Sequence, residues 1–159
     1  MSSDCTATVP DVPVPTAEVI DTVLADHDDV RRALDDAWQA AWDRVDPVLL
    51  ELCRLRIAML LGCEAERDAR TPAAVDAGLA EETVAVLARW PTSERFGPAA
   101  RACLAFTEQF VIDVAGLDES TAAAVREHLG DEGLADFVSA LLVVEQRQRL
   151  RLTWDRVLA

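Results

Sequence analysis

The 159-residue sequence contains neither lysine nor tyrosine, and all of its basic residues are arginines. Schiff-base chemistry, which needs a lysine amine, and acid–base chemistry by a tyrosine hydroxyl are therefore excluded. Positive charge is also scarce, because 29 acidic residues against 15 basic ones leave a formal net charge of −14. Nucleic acid and anionic membrane surfaces attract positive fields, so we expect neither as a partner.

Long apolar runs and paired cysteines are missing as well. The longest apolar stretches, such as Ile57–Cys63, are far shorter than the roughly 18 residues of a membrane span. The first residues show neither the basic start nor the apolar segment of a secretory signal, so we expect a cytoplasmic protein without lasting disulfides. No two of the four cysteines have Cys-x-x-Cys spacing, and both histidines lie far from them in sequence. We therefore expect no metal site and no cofactor.

Length and composition predict a single folded domain, because half of the residues are apolar and the chain is long enough to bury a core. Residues 1–15 contain three prolines and are predicted to form an extended or disordered arm. That arm is either a loose tail or a strap across a neighbouring subunit. Residues 16–159 are predicted to form the domain.

Helix signals dominate this domain, and strand patterns are almost absent. Residues 28–44 carry apolar side chains at steps of three and four, which predicts an amphipathic helix. Asp46 and Pro47 form a cap-and-proline start for a helix over 48–61, whose nearly uniform apolar character predicts a central place in a bundle. Further helices are expected at about 16–25, 63–70, 72–78, 81–90, 98–114, 118–130 and 132–158. The predicted fold class is all-α.

One segment carries a more specific pattern. Glu51 lies at the start of an apolar, arginine-bearing stretch, Gly62-Cys63 follows it, and Glu66 and Arg70 come shortly afterwards. This order resembles the active-site helices of the alkylhydroperoxidase-D/carboxymuconolactone decarboxylase family. In that family the glycine is followed by Cys-x-x-Cys, with a histidine four residues after the second cysteine. Here Glu66 occupies the second cysteine position and Arg70 the histidine position.

The resemblance covers residues 30–157, including a last helix with Glu145, Gln148 and Arg149 in a polar-x-x-polar-Arg pattern. It implies an alkylhydroperoxidase-D-like multi-helix bundle that assembles into a homo-oligomer, as a dimer, trimer or hexamer. It also implies that the Glu51–Arg70 segment and these last-helix side chains surround the functional site.

The two replacements change the chemistry that the resemblance implies. A thiol peroxidase uses one thiolate to attack peroxide and usually a second thiol to form a disulfide. With Glu66 in the second position this disulfide cycle cannot run, and the acidic neighbours of Cys63 are expected to weaken its thiolate character. The decarboxylase branch of the family also lacks a reactive cysteine pair. By resemblance to it, Glu66 becomes a candidate general acid or base, with Glu51 as a relay carboxylate.

Three hypotheses follow for the function. The first is an enzyme that transfers protons on a small, anionic organic molecule. Its candidate catalytic residues are Glu66 and Glu51, and its candidate substrate-binding residues are Arg70, Glu145, Gln148 and Arg149; Cys63 is the candidate catalytic residue of the second hypothesis. The second is a single-cysteine peroxidase or thiol oxidoreductase that uses Cys63. The third is a non-catalytic oligomeric scaffold or binding protein.

Structural interpretations of the same residues stay open beside these hypotheses. Glu66 and Arg70, four residues apart on a predicted helix, have the spacing of an ion pair. Glu51 and Arg54 share one face of the apolar helix and have the spacing of a buried pair. The polar side chains of the last helix suit a hydrogen-bond network between subunits as well as a pocket wall.

Overall fold

The structure, a computed structural model, describes residues 17–157, with side chains from residue 20 onward. Its helices are α1 (Ala17–Val23), α2 (Asp28–Arg44), α3 (Pro47–Leu61), α4 (Glu64–Asp68), α5 (Pro72–Asp76), α6 (Glu81–Val84), α7 (Pro98–Ile112) and α8 (Glu119–Val157). Two short 3-10 turns cover Leu87–Arg89 and Val114–Gly116, and no strand occurs within 17–157. The all-α prediction is confirmed, whereas the predicted arm lies outside the described residues.

Helix α3 occupies the centre of the bundle, as its apolar sequence predicts. Its start is fixed by Asp46, whose Oδ1 accepts a hydrogen bond from the Leu49 amide at 2.8 Å, and by Pro47 in the first turn. Its end is fixed by Gly62, which has a left-handed φ of 71° that a side chain would disfavour. Between these ends most side chains are buried, because α4, α5, α7 and α8 all pack against α3.

Helices α2, α7 and α8 complete the bundle around α3. The amphipathic helix α2 packs along α8, and α7 packs against both α3 and α8. Phe106 on α7 contacts Phe137 on α8 edge to face, with 5.9 Å between the ring centroids. Fully buried leucines such as Leu50, Leu55 and Leu141 fill the interior. Each contributes about 1.5–3 kcal/mol of hydrophobic stabilisation, so this core is what holds the functional side chains in place.

Two predicted helices differ from those observed. The predicted helix at 63–70 is shortened to α4, because the carbonyls of Glu66 and Ala69 turn toward the Arg54 guanidinium. The predicted helix at 81–90 divides into α6 and a 3-10 turn. The predicted break between helices at 118–130 and 132–158 is confirmed, because α8 consists of two helical segments separated at Gly130, whose φ of 75° and ψ of 177° are not helical. None of the described helices is long and apolar enough to cross a lipid bilayer.

Candidate functional site

The centre of the site is Arg54, a fully buried cation on α3. Its Nε and Nη2 donate to the two carboxylate oxygens of Glu51 at 2.9 and 2.7 Å, and its Nη1 donates to Glu66 Oε2 at 2.7 Å. The main-chain carbonyls of Glu66 and Ala69 accept two further bonds at 2.8 Å. A guanidinium has five N–H donors, so every donor of Arg54 is engaged. Burial opposes the charge, but Glu51 and Glu66 outweigh it and raise the pKa of Arg54.

Glu51 uses all of its hydrogen-bonding capacity within this network. Besides Arg54, its Oε1 accepts from the Thr71 amide at 3.1 Å and its Oε2 from the Thr71 hydroxyl at 2.9 Å. The side chain is fully buried on α3, one turn before Arg54. The buried Glu51–Arg54 pair suggested by their spacing is therefore confirmed, and it ties α3 to the segment that begins α5.

Glu66 differs from Glu51 because only one of its oxygens is fixed. Oε2 binds Arg54, whereas Oε1 has no hydrogen-bond partner among the described residues, although the residue is only 1% exposed. Burial raises the pKa of Glu66, and the positive charges of Arg54, Arg151 and Arg147 oppose that rise. A buried carboxyl group with a raised pKa and one uncommitted oxygen has the properties of a general acid or base.

Cys63 lies directly before α4 and is 2% exposed. Burial raises the pKa of its thiol. The Glu66 amide N–H opposes that rise and the Glu66 carboxylate adds to it. The two core thiols, Cys53 and Cys103, are free and buried, and burial raises the pKa of Cys103 to about 12. A nucleophilic cysteine needs a stabilised thiolate, which these surroundings disfavour. No three His, Cys, Asp or Glu side chains in the described part of the chain are grouped to bind a metal ion.

Arg70 points to a different partner from the one that its spacing suggests. Its Nε and Nη2 donate to the two oxygens of Glu81 at 2.8 and 3.1 Å, and its Nη1 donates to the carbonyls of Arg67 and Ala69. The suggested ion pair between Glu66 and Arg70 is therefore wrong. Because α4 ends at Asp68, the two residues do not lie on one helix face.

The three candidate residues of α8 divide between two places. Gln148 is buried, and its Nε2 donates to the main-chain carbonyl of Arg54 at 2.9 Å, so it joins the Arg54 network. Arg149 instead binds Glu145 Oε1 through Nε and Nη2 at 3.0 and 2.7 Å. Glu145 and Arg149 line a cavity of about 450 Å³ beside the end of α7, together with residues 110–115.

Two residues outside the predicted site set lie at this site: Arg54, whose spacing indicated only a pair with Glu51, and Arg147. The Arg147 guanidinium lies 4.6 Å from the centroid of the Trp38 ring, and its Nη1 donates to the Leu34 carbonyl at 3.3 Å. Asp35 is 3.5 Å from Nη1, and Nε has no partner within residues 20–157. Burial lowers the pKa of Arg147, against the negative charges of Asp35 and Glu66. The available signal for Arg54 was a charge inside an otherwise apolar helix, which must find a buried partner.

Comparison with known proteins gives one result that covers this site. The model of a family described as the carboxymuconolactone decarboxylase family matches residues 28–109, which is more than half of the chain. The matched part runs from α2 into α7 and contains Glu51, Arg54, Cys63 and Glu66, while Gln148 lies outside it. No curated protein matches the chain.

Proposed function

This chain belongs to the carboxymuconolactone decarboxylase family, and we propose that it catalyses proton transfer on a small organic molecule with Glu66 as general acid or base. One observation carries the proposal. Glu66 is buried, its Oε2 is held by Arg54, and its Oε1 has no partner among the described residues. The fixed oxygen orients the carboxyl group, and the uncommitted oxygen is available to exchange a proton with a substrate carbon.

In this proposal Glu51 acts through Arg54. Thr71 donates two bonds that fix the Glu51 carboxylate, and the two bonds that Glu51 accepts from Arg54 fix the guanidinium, which in turn holds Glu66 Oε2. A relay role for Glu51, which the resemblance implies, would require one of those bonds to break during the reaction. The geometry therefore supports a positioning role for Glu51 within the catalytic unit.

The geometry supports the four candidate substrate-binding residues to different degrees. Gln148 lies in the Arg54 network and keeps its Oε1 without a partner among the described residues. Arg70, Glu145 and Arg149 would each have to exchange an existing ion pair for a substrate contact. Gln148 is therefore the candidate that the geometry supports best. A homo-oligomeric assembly and a cytoplasmic location remain predictions.

A non-catalytic scaffold is the second candidate, favoured by the complete use of the Arg54 donors. Buried ionic networks also occur for structural reasons, and removal of one partner then affects stability alone. A thiol oxidoreductase has less support, because burial and the Glu66 charge both disfavour a Cys63 thiolate.

The test compares Glu66→Gln with Cys63→Ser in the full chain. The substrates are carboxymuconolactone, chosen from the family name, and a panel of β-keto acids. Carbon dioxide release and deuterium incorporation at carbon in D₂O are followed by NMR. We expect Glu66→Gln to lower kcat by about 10²–10⁴-fold, which is typical for loss of a general acid or base, and Cys63→Ser to stay near wild type.

Thermal melting of both variants provides the control, because a folded but inactive Glu66→Gln protein separates catalysis from stability. Full activity of Glu66→Gln, or loss of activity only in Cys63→Ser, would contradict the proposal. Absence of turnover by the wild-type protein across the panel would favour the scaffold instead.

A further inference from the structure

Three buried polar atoms around the Arg54 network have no hydrogen-bond partner in the described part of the chain. They are Glu66 Oε1, Gln148 Oε1 and Arg147 Nε. Glu66 and Gln148 both bind Arg54, the first through its side chain and the second through its main-chain carbonyl. Arg147 precedes Gln148 on α8, and its charge acts on the carboxyl group of Glu66. Two side chains of this cluster thus border Arg54, and the third, Arg147, adjoins Gln148 in sequence.

The chemistry of these atoms defines what would complete the cluster. Buried polar groups in proteins are almost always hydrogen-bonded. A carboxylate oxygen and an amide oxygen only accept, whereas a guanidinium Nε only donates. A molecule that satisfies Glu66, Gln148 and Arg147 together must therefore present donors to the first two and an acceptor to the third.

The charge around Arg147 favours an anionic acceptor. Its guanidinium is held over the Trp38 ring, which fixes the direction of Nε. The nearest carboxylate, Asp35, is half exposed and 3.5 Å from Nη1, so it compensates the buried charge only in part. By contrast, all five N–H donors of Arg54 already bond to protein groups. Arg54 therefore cannot bind a ligand without losing one of these hydrogen bonds.

We propose that a small hydroxycarboxylate binds between Glu66, Arg147 and Gln148, with its carboxylate at Arg147 and its hydroxyl directed to the two acceptors. Arg147 is then the anion-binding residue of the site and Gln148 the residue that selects for the hydroxyl. This inference deepens the proposed function and rests on it for the reacting group, Glu66.

Three small probe molecules test separately whether the hydroxyl and the carboxylate contribute to binding by the full-length wild-type protein. Glycolate carries both groups, acetate lacks the hydroxyl, and methyl glycolate lacks the negative charge. Binding is followed by calorimetry and by tryptophan fluorescence, because Trp38 lies under the Arg147 guanidinium. We expect glycolate to bind about tenfold more tightly than either of the others, the size of one lost buried hydrogen bond. Equal affinities, or no saturable binding because water alone occupies the cluster, would overturn the inference.

A pair of variants on α8 locates the site. Arg147→Gln should weaken glycolate binding by about tenfold or more, since it removes the cation and its Nε donor. Arg126→Gln is the matched control, because Arg126 on α8 is exposed and engaged with Glu119 and Asp131, and it should bind glycolate like wild type. Unchanged affinity in Arg147→Gln, or an equal loss in both variants, would contradict the assignment. If Arg147→Gln does not fold, the three-probe comparison on the wild type decides.

The binding measurements separate this inference from the proposed function, because they require no turnover. If glycolate binds as expected while Glu66→Gln retains activity, the anion site stands and the acid–base function fails. If Glu66→Gln is inactive while the three probes bind equally, the acid–base function stands and the hydroxycarboxylate site fails.

Discussion

Two Glu–Arg pairs within single helices occupy very different surroundings in this molecule. Glu51 and Arg54 on α3 are both fully buried, whereas Arg149 on α8 has a half-exposed side chain beside Glu145. The contacts have equal lengths, 2.7 Å between Nη2 and Oε1 in each pair. Distance therefore does not distinguish them. Solvent weakens the α8 pair, while the α3 pair depends entirely on the bonds that surround it.

Removing the cation from each pair should give the largest difference in stability loss between the two regions. Arg54→Met leaves the charges of Glu51 and Glu66 buried without a partner, so we expect the free energy of unfolding to fall by about 3–5 kcal/mol. Arg149→Met removes a partly solvated pair and should cost less than about 1 kcal/mol. Urea denaturation of both variants measures the difference. Similar losses in the two variants would show that burial does not set the strength of these pairs.

A smaller effect should come from a hydroxyl that supports the buried pair. Thr71→Val removes the donor to Glu51 Oε2 while keeping the shape of the side chain, and we expect a loss of about 1–3 kcal/mol because the bond goes to a charged group. Thr153→Val is the control, since its hydroxyl bonds to the Arg149 carbonyl on the exposed side of α8. Chemical denaturation of the two variants gives the comparison. A Thr71→Val protein as stable as its control would mean that Thr71 does not brace Glu51.

The features of α3 that depend on local sequence signals could be predicted from the sequence. The start of α3 at Asp46-Pro47, its end at Gly62 and its central place all follow from local signals, namely a cap, a proline, a left-handed glycine and uniform apolarity. The family resemblance also brought Glu51 and Glu66 to one site. These features can be predicted because they depend only on residues close together in the sequence or on a known family pattern.

The partners of the site residues could not be predicted in this way. Spacing suggested that Glu66 pairs with Arg70, yet it pairs with Arg54, twelve residues earlier on another helix. That pairing goes with the end of α4 at Asp68, where the carbonyls of Glu66 and Ala69 accept hydrogen bonds from the Arg54 guanidinium. Arg147 reaches the cluster only through the packing of α8 on α2. Contacts between distant segments of the chain determine each of these pairings.

The smallest expected effect concerns how the stability of the buried region depends on pH. Burial raises the pKa of Glu66 above its ordinary value of 4.5, so the folded protein holds this proton more tightly than the unfolded chain does. The contribution to stability is therefore complete below the ordinary carboxyl pKa. It is lost as the pH rises through the raised pKa of the folded state. Glu66→Gln cannot ionise, so wild type should lose stability relative to this variant across that interval and remain parallel to it at higher pH.

Urea midpoints of wild type and Glu66→Gln at a series of pH values measure this difference. Cys103→Ser serves as the control, because burial raises the pKa of that thiol to about 12 and its proton is not exchanged in the acid range. Its stability should follow the wild-type pH profile at a constant offset. A wild-type profile parallel to that of Glu66→Gln throughout would mean that Glu66 titrates like a solvated carboxylate. In that case the α3–α4 network would differ from the Glu145–Arg149 pair in burial alone and would lack the proton affinity that acid–base chemistry requires.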